Sequence, residues 1–257
     1  MNMPLPATAT RLDFTPAVGD MAFTPLQREL LSRAHALGRD RFAARAPQWD
    51  REASFPFANY DDLREAGFLK LCVPTAHGGL GADYATYMMV AAEIGRFCGA
   101  TALTWNMHIC STMWTGVLAD GIAMTDAQRT EHLARRELHF QRIVRDGAIY
   151  AQPFSEGSAA AAGRAPFGTT AKKVEGGYRI SGRKIFSSGA AAGDVFMTGA
   201  VLEEDGARHV LHFGASMKAA EVKILDTWHT LGMRGTGSHD VMLDDLFVPD
   251  AGVALKR

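Results

Sequence analysis

The chain has 257 residues, with 27 Lys and Arg against 28 Asp and Glu and a formal net charge of −1. That balance argues against a nucleic-acid binder, which carries a strongly basic face, and 47% hydrophobic with 21% charged residues excludes a largely disordered chain. Three cysteines (Cys72, Cys98, Cys110) with no CxxC pair provide neither a disulfide framework nor a zinc site of the usual spacing, and no metal is expected.

Residues 1–20 are Pro- and Ala-rich without periodicity and read as a mobile tail. They lack a basic start followed by an apolar run, so no secretory signal is expected and the cytoplasm is the default compartment. Thr24-Pro25 is a helix cap followed by proline at the first helical position, and Leu26, Leu30, Ala34 and Leu37 recur at helical spacing. Tyr60 to Ala66 predicts a short helix stopped by Gly67. Asp83 to Phe97 and Ala100 to Ala119 predict two largely buried helices punctuated by Gly99. Phe97 to Ala119 has no acidic or basic side chain and is long enough to span a bilayer. It carries Thr101, Thr104, Asn106, His108, Ser111 and Thr112, however, which suits a helix buried in protein and not in lipid. Thr125-x-x-Gln128 is a capping-box pattern that predicts a helix to about Arg145, with a solvated, Arg-rich face.

Past Gly147 the period drops to two. Gly176-Gly177 marks a turn between strand-like runs, and Tyr178 and Ile180 alternate with Arg179 and Ser181. Val195 to Leu202 and His209 to Phe213 predict a hairpin around a polar turn. Val241 to Val248 predicts a last strand ended by Pro249. Helices first and strands later predict an α+β chain of more than one domain: a tail over 1–20, a helical domain over 21–146 and a β-domain over 147–257.

Most motif searches fail. The chain has no GxxxxGK[ST], no GxSxG and no HExxH, and Gly235-Thr236-Gly237 is an incomplete dinucleotide fingerprint. The histidines read as surface or core residues. Two segments stand out: Tyr150-Ala-Gln-Pro-Phe-Ser-Glu156 before a loop of small residues, and Gly182-Arg-Lys-Ile-Phe-Ser-Ser-Gly189. Each ends a strand with Ser beside an aromatic residue. An aromatic face with nearby hydroxyl and N–H donors suits a flat polar heterocycle, and small residues let backbone approach a phosphate. On these residues alone, two ordinary strand ends with loops is the plainer reading.

Taken in order, the segments resemble the acyl-CoA dehydrogenase family of flavoproteins. Asp61 to Phe68 and Val73-Pro-Thr-Ala-His-Gly-Gly-Leu-Gly81 resemble its helical amino-terminal domain. Gln152-Pro-Phe-Ser-Glu156 and Gly182-x-Lys184-Ile-Phe-Ser-Ser188 resemble its two flavin strands, and Leu231 to Ser238 with Asp245 to Pro249 resembles the end of its middle domain. The resemblance implies an all-α domain followed by a small antiparallel β-barrel or sandwich, then a second helical bundle. It implies FAD, with Gln152, Phe154 and Ser155 at the pyrimidine side of the ring, Phe186 packed against it, and Ser187 and Ser188 following, Ser188 near N5.

The activity so implied is α,β-dehydrogenation of an acyl-CoA thioester in fatty acid metabolism. A carboxylate takes the α proton while hydride leaves to the flavin. Implied partners are an electron-transfer flavoprotein or similar acceptor and other copies of the chain, with no nucleic acid and no membrane. The loop from Ser155 to Ala162 departs from the family's usual Thr-Glu-Pro-x-Ala-Gly-Ser-Asp, and Ser158 is the candidate substitute for its substrate contact. The chain reaches Arg257 where the third bundle, carrying the catalytic base, is expected to begin. No base is therefore assigned, and Glu156 matches a structural position. Two alternatives stand beside this reading. One is a flavin-dependent monooxygenase on the same fold, favoured by Thr227-Trp228 and Gly232 to Ser238, whereas Leu103-Thr-Trp-Asn-Met-His108 is closer to the dehydrogenases. The other is a non-catalytic truncated paralogue.

Overall fold

Thr24 starts the first helix as its sequence predicts, and Gln27 completes a capping box that the Thr24-Pro25 pair alone did not reveal. Thr24 Oγ1 accepts from the Gln27 N–H at 3.2 Å, while the Gln27 side chain accepts from the Thr24 N–H at 2.9 Å. The computed structural model describes residues 23–157 and 167–256; the tail over 1–20 and Ser158 lie outside the described residues.

Helix α1 (Pro25–Leu37) passes through a π-helical turn (Gly38–Phe42) into α2 (Ala43–Glu52). Helices α3 (Phe57–Glu65), α4 (Tyr84–Gly95), α5 (Gly99–Thr115), the short α6 (Val117–Asp120) and α7 (Asp126–Asp146) follow. Asp83 caps α4 by accepting from the Thr86 N–H at 2.8 Å. The Thr125–Gln128 box opens α7, and Gly147 in the left-handed region (φ 63°) closes it.

The polar residues of α5 explain why it is a core helix. Asn59 donates to Thr101 at 2.8 Å, the Trp105 indole donates to the Phe68 carbonyl at 3.2 Å, and His108 Nε2 lies 2.7 Å from the Leu69 carbonyl. Asn59, Thr101, Trp105 and His108 thus find protein partners that lipid would not supply, while Asn106 Oδ1 on the same helix is buried without one. Among the described residues no helix is long and apolar enough to cross a membrane.

The strands are β1 (Tyr150–Ala151), β2 (Thr170–Val174), β3 (Gly177–Lys184), β4 (Val195–Glu204), β5 (Ala207–Ser216), β6 (Val222–Leu225), β7 (Asp240–Pro249) and β8 (Val253–Lys256). They form one sheet in the order β6-β7-β3-β2-β4-β5-β8, with β1 alongside β4. The expected antiparallel barrel is corrected here: the sheet is open between the edges β6 and β8, and β4 runs parallel to both β1 and β2. The parallel joint arises because the connection 185–194 carries the chain from β3 past β2, so that β4 pairs on the other side of β2 in the same direction.

The predicted β4–β5 hairpin forms over its full length, from Val195 opposite Ser216 to Glu204 opposite Ala207. On β7 the buried positions Val241 and Leu243 continue as Leu246 and Val248, one residue out of phase. Asp245, in the left-handed region at φ 57°, takes up the extra residue as a bulge beside Ile180 and Gly182. Trp105, Tyr60, Phe42 and Phe68 fill the helical core, and Phe196, Phe213, Ile180 and Val241 fill the sheet core. Val73, Phe140, Ile143 and Tyr150 join α7 to β1.

Candidate functional site

Two chain segments that sequence places far apart run side by side. β1 continues past Ala151, with the Pro153 carbonyl accepting from Thr198 Oγ1 at 2.5 Å on β4, and the Ser155 carbonyl accepting from the Ile185 N–H at 2.8 Å. The first segment thereby lies against both the continuation of β3 and the start of β4. Beneath this contact Glu156 and Lys184 form a buried ion pair at 2.6 Å. Thr169 Oγ1 (2.6 Å) and the Thr169 N–H (3.2 Å) also donate to Glu156, as does the Gly168 N–H. These bonds use up the carboxylate's acceptor sites, so Glu156 holds the two segments together and is not poised as a base.

The expected flavin residues fall on these segments, in two groups. Gln152 is half-buried and its amide donates to Ser111 Oγ of α5 at 2.9 Å. The Phe154 ring lies about 6 Å from the rings of Trp114 (6.2 Å), Phe167 (6.0 Å) and His212 (6.2 Å). Ser155 is exposed. Phe186, 59% exposed, is held at φ 51° with its ring edge-on to Trp228 at 5.7 Å. Ser187 is buried, its N–H donates to the His239 carbonyl at 3.1 Å, and its hydroxyl has no hydrogen-bond partner. Ser188 Oγ lies 2.7 Å from Ser238 Oγ, which lies 2.7 Å from Thr236 Oγ1. Among the described residues no ring contact joins Phe154 to Phe186, so the structure sets the two aromatic groups apart. Ser158, expected at the substrate, lies outside the described residues.

Phe186 and Trp228 wall a cleft of about 300 Å3, with Ile185, Thr227, Thr230, Ser238 and Asp240. His239 Nδ1 accepts from the N–H groups of Thr227 and Trp228, both at 3.1 Å, which fixes the tryptophan's backbone. Asp240, the acidic residue of the wall, pairs with Arg183 at 2.5 Å. A larger hollow of about 760 Å3 lies between the ends of β2 and β4. Its lining charges are largely paired, Arg208 with Glu203 and Lys173 with Asp250, and it contains none of the expected residues. The smaller cleft is therefore the candidate site.

In the sequence, Trp228, Thr236 and Ser238 stand only inside longer motifs that assign them no individual role. Trp114 and Asp240 were missed altogether. The signal for Trp228 was its place directly before a Gly-rich turn; the Ser188–Ser238 contact spans 50 residues and has no local signature. Among the described residues no group of His, Cys, Asp and Glu could hold a metal ion.

A half-exposed aromatic wall, a buried hydroxyl without a partner and a row of further hydroxyls fit a flat ring that needs stacking and hydrogen bonds at its edge. Residues 24–135 match the family description "Acyl-CoA dehydrogenase, N-terminal domain" and residues 154–246 match "Acyl-CoA dehydrogenase, middle domain". The chain belongs to the acyl-CoA dehydrogenase family, a family of oxidoreductases.

It is 34% identical over 226 residues to a pigment production hydroxylase of Rhodococcus sp. (strain ATCC 21145), covering 86% of this chain and 50% of the relative. It is 28% identical over 214 residues to a putative acyl-CoA dehydrogenase of Bacillus subtilis (strain 168), covering 82% of this chain and 52% of the relative. Among solved structures it is similar to KijD3 in complex with FMN and dTDP-3-amino-2,3,6-trideoxy-4-keto-3-methyl-D-glucose. There the TM-score is 0.76 at 25% identity, over 92% of this chain and 55% of that one. The chain spans about half the length of the curated relatives it matches.

Proposed function

We propose that this chain supplies the helical and β parts of a flavin-dependent monooxygenase that hydroxylates a small aromatic substrate. The observation that carries the reading is the cleft lined by the touching rings of Phe186 and Trp228, with Ser238 in its wall. Phe186 would pack against the flavin ring and Ser188 would stand at its N5, with Gln152, Phe154, Ser155 and Ser187 along the adjoining edge. Bound reduced flavin would supply two electrons to dioxygen, one oxygen atom entering the substrate and the other leaving as water. The protein's own part is to stack the ring, fix its hydrogen bonds and keep bulk water out of the cleft.

The similarity to a hydroxylase at 34% identity supports this reading over dehydrogenation of an acyl-CoA. So does the fate of the segment Leu103–His108. Trp105 and His108 spend their polar atoms on the Phe68 and Leu69 carbonyls and on the Tyr150 N–H, so their presence is explained by the helical core alone.

The deciding experiment loads the protein with FMN or FAD, whichever binds more tightly, and runs two assays. After anaerobic reduction, addition of 18O-labelled dioxygen and a panel of phenols should give a product carrying one labelled oxygen. Bleaching of the oxidised flavin by short, medium or branched acyl-CoA thioesters, with no oxygen incorporated, would reject hydroxylation and establish the dehydrogenase reading.

A further inference from the structure

Beside the cleft, three hydroxyl groups meet end to end. Thr236 Oγ1 lies 2.9 Å from the Met233 carbonyl oxygen and 2.7 Å from Ser238 Oγ, which lies 2.7 Å from Ser188 Oγ. A hydroxyl has one proton to donate, whereas a carbonyl oxygen can only accept. The Met233 carbonyl oxygen also accepts from the Trp228 indole N–H at 3.2 Å and the Thr236 N–H at 3.0 Å. It takes the Thr236 hydroxyl proton as a third, shared donor, because two oxygens 2.9 Å apart with no proton between them would set lone pair against lone pair. Thr236 must then accept from Ser238, and Ser238, its proton committed, must accept from Ser188. Thr236 and Ser238 are 0% and 2% exposed, which keeps competing water away from the row. Met233 and Gly237, both in the left-handed region at φ 55° and 50°, bracket the tight turn Arg234–Thr236 that brings the carbonyl under the Thr236 hydroxyl. Ser188, half-buried, ends the row with its own proton already spent inside the protein.

We propose that this row fixes Ser188 Oγ as an acceptor toward the bound ligand, with Ser238 and Thr236 as positioning residues, so that the site selects reduced over oxidised flavin. The inference rests on the flavin reading above, in which Ser188 stands at N5. Oxidised isoalloxazine presents a lone pair at N5, and two-electron reduction replaces it with an N–H. A fixed acceptor pairs with that N–H but sets lone pair against lone pair in the oxidised ring, leaving both groups without a partner. A serine free to rotate would serve both forms, donating to one and accepting from the other. The choice is thus made two hydroxyls away, at a carbonyl that cannot donate.

The test compares dissociation constants for oxidised and reduced FMN, and for FAD likewise, on the full chain under anaerobic conditions. The midpoint potential of the bound flavin is the independent reading. Wild-type protein should bind the reduced form at least tenfold more tightly. Ser238→Ala releases the Ser188 proton, and the preference should fall about tenfold, equivalent to a potential lower by about 30 mV for a two-electron couple. Thr236→Val keeps the shape, frees Ser238 to donate, and should move both readings the same way; Thr236→Ser should restore them. Both readings unchanged in Ser238→Ala and Thr236→Val, with flavin bound, would overturn the polarity and leave the flavin reading intact. A wild-type protein that binds neither redox form of FMN or FAD would overturn both.

Discussion

Lys184 Nζ lies 2.6 Å from Glu156 Oε1 with both side chains out of water, and this pair ties together the two segments that carry the candidate site. Lys184 also donates to the Gly199 carbonyl at 2.7 Å and sits 4.3 Å from the centre of the Phe167 ring. Burial pulls the Lys184 ammonium below its usual range, against the opposing pull of Glu156. Burial pushes Glu156 up, but the bonds from Lys184, Thr169 and Gly168 outweigh it and hold the carboxyl below the usual range. Removing one partner strands the other charge, so Lys184→Met should lower stability by about 3–5 kcal/mol in urea unfolding. The double variant Glu156→Gln, Lys184→Met should lose much less than the two single losses added. Simple additivity would show that the ion pair is not the link.

What the sequence disclosed is what is local. The cap at Thr24, the box at Thr125–Gln128 and the stop at Gly67 each depend on residues within one helical turn. The β4–β5 hairpin was visible for the same reason. The open sheet was not, because the parallel contact of Thr170 with Val201 depends on the path of a connection that no periodicity encodes. Phe186 and Ser188 could be picked out as an aromatic and a hydroxyl at a strand end. Their partners Trp228 and Ser238 come from another part of the chain, and only the folded sheet brings them there.

Two buried histidines at the junction of α5, α7 and β1 predict loss of stability in weak acid. His108 donates to the Leu69 carbonyl and accepts from the Tyr150 N–H, while the His139 ring lies tilted by 44° against Tyr150 at 4.1 Å with Nε2 unpartnered. Burial pushes His108 down to about 4 and His139 down to about 3, from 6.5. Well above pH 6.5 both are neutral whether folded or unfolded. Below it the unfolded chain takes up protons that the folded one refuses, so stability falls as pH drops, reaching about 2 kcal/mol per histidine near pH 5. His139→Phe should keep the ring contact with Tyr150 and shrink the difference between urea curves at pH 7.5 and pH 5. An undiminished difference would mean that other groups carry the acid sensitivity.

Phe186 should show stability and binding moving in opposite directions. A side chain at φ 51° is strained, by about 1–2 kcal/mol for a left-handed non-glycine residue. Its ring is mostly exposed, so little packing is lost on removing it. Phe186→Gly should therefore raise stability slightly, by up to about 1 kcal/mol once glycine's extra chain entropy is counted, while weakening flavin binding at least tenfold. Phe186→Ala keeps the strain and should lose affinity with no gain in stability. Equal flavin affinity in wild type and both variants, measured by fluorescence titration, would remove Phe186 from the proposed site.

Gly189 follows the serine pair and turns the chain toward β4. Its φ is 82°, and a Cβ there would lie 3.5 Å from the Thr104 carbonyl oxygen on α5, an ordinary contact. Crowding is therefore not the obstacle; the backbone angle is. The Ala192 N–H donates to the Gly189 carbonyl at 3.1 Å and the Ala190 N–H to the Ser187 carbonyl at 3.0 Å, so the conformation is locked by the tight turn Ala190–Ala192. Gly189→Ala should lower stability by about 1–2 kcal/mol, the cost of a left-handed alanine. Gly189→Asn should lose less despite its larger side chain, because asparagine enters that region more readily. Thermal unfolding of the two variants separates the causes: a greater loss for asparagine than for alanine would point to crowding against α5 and away from backbone strain.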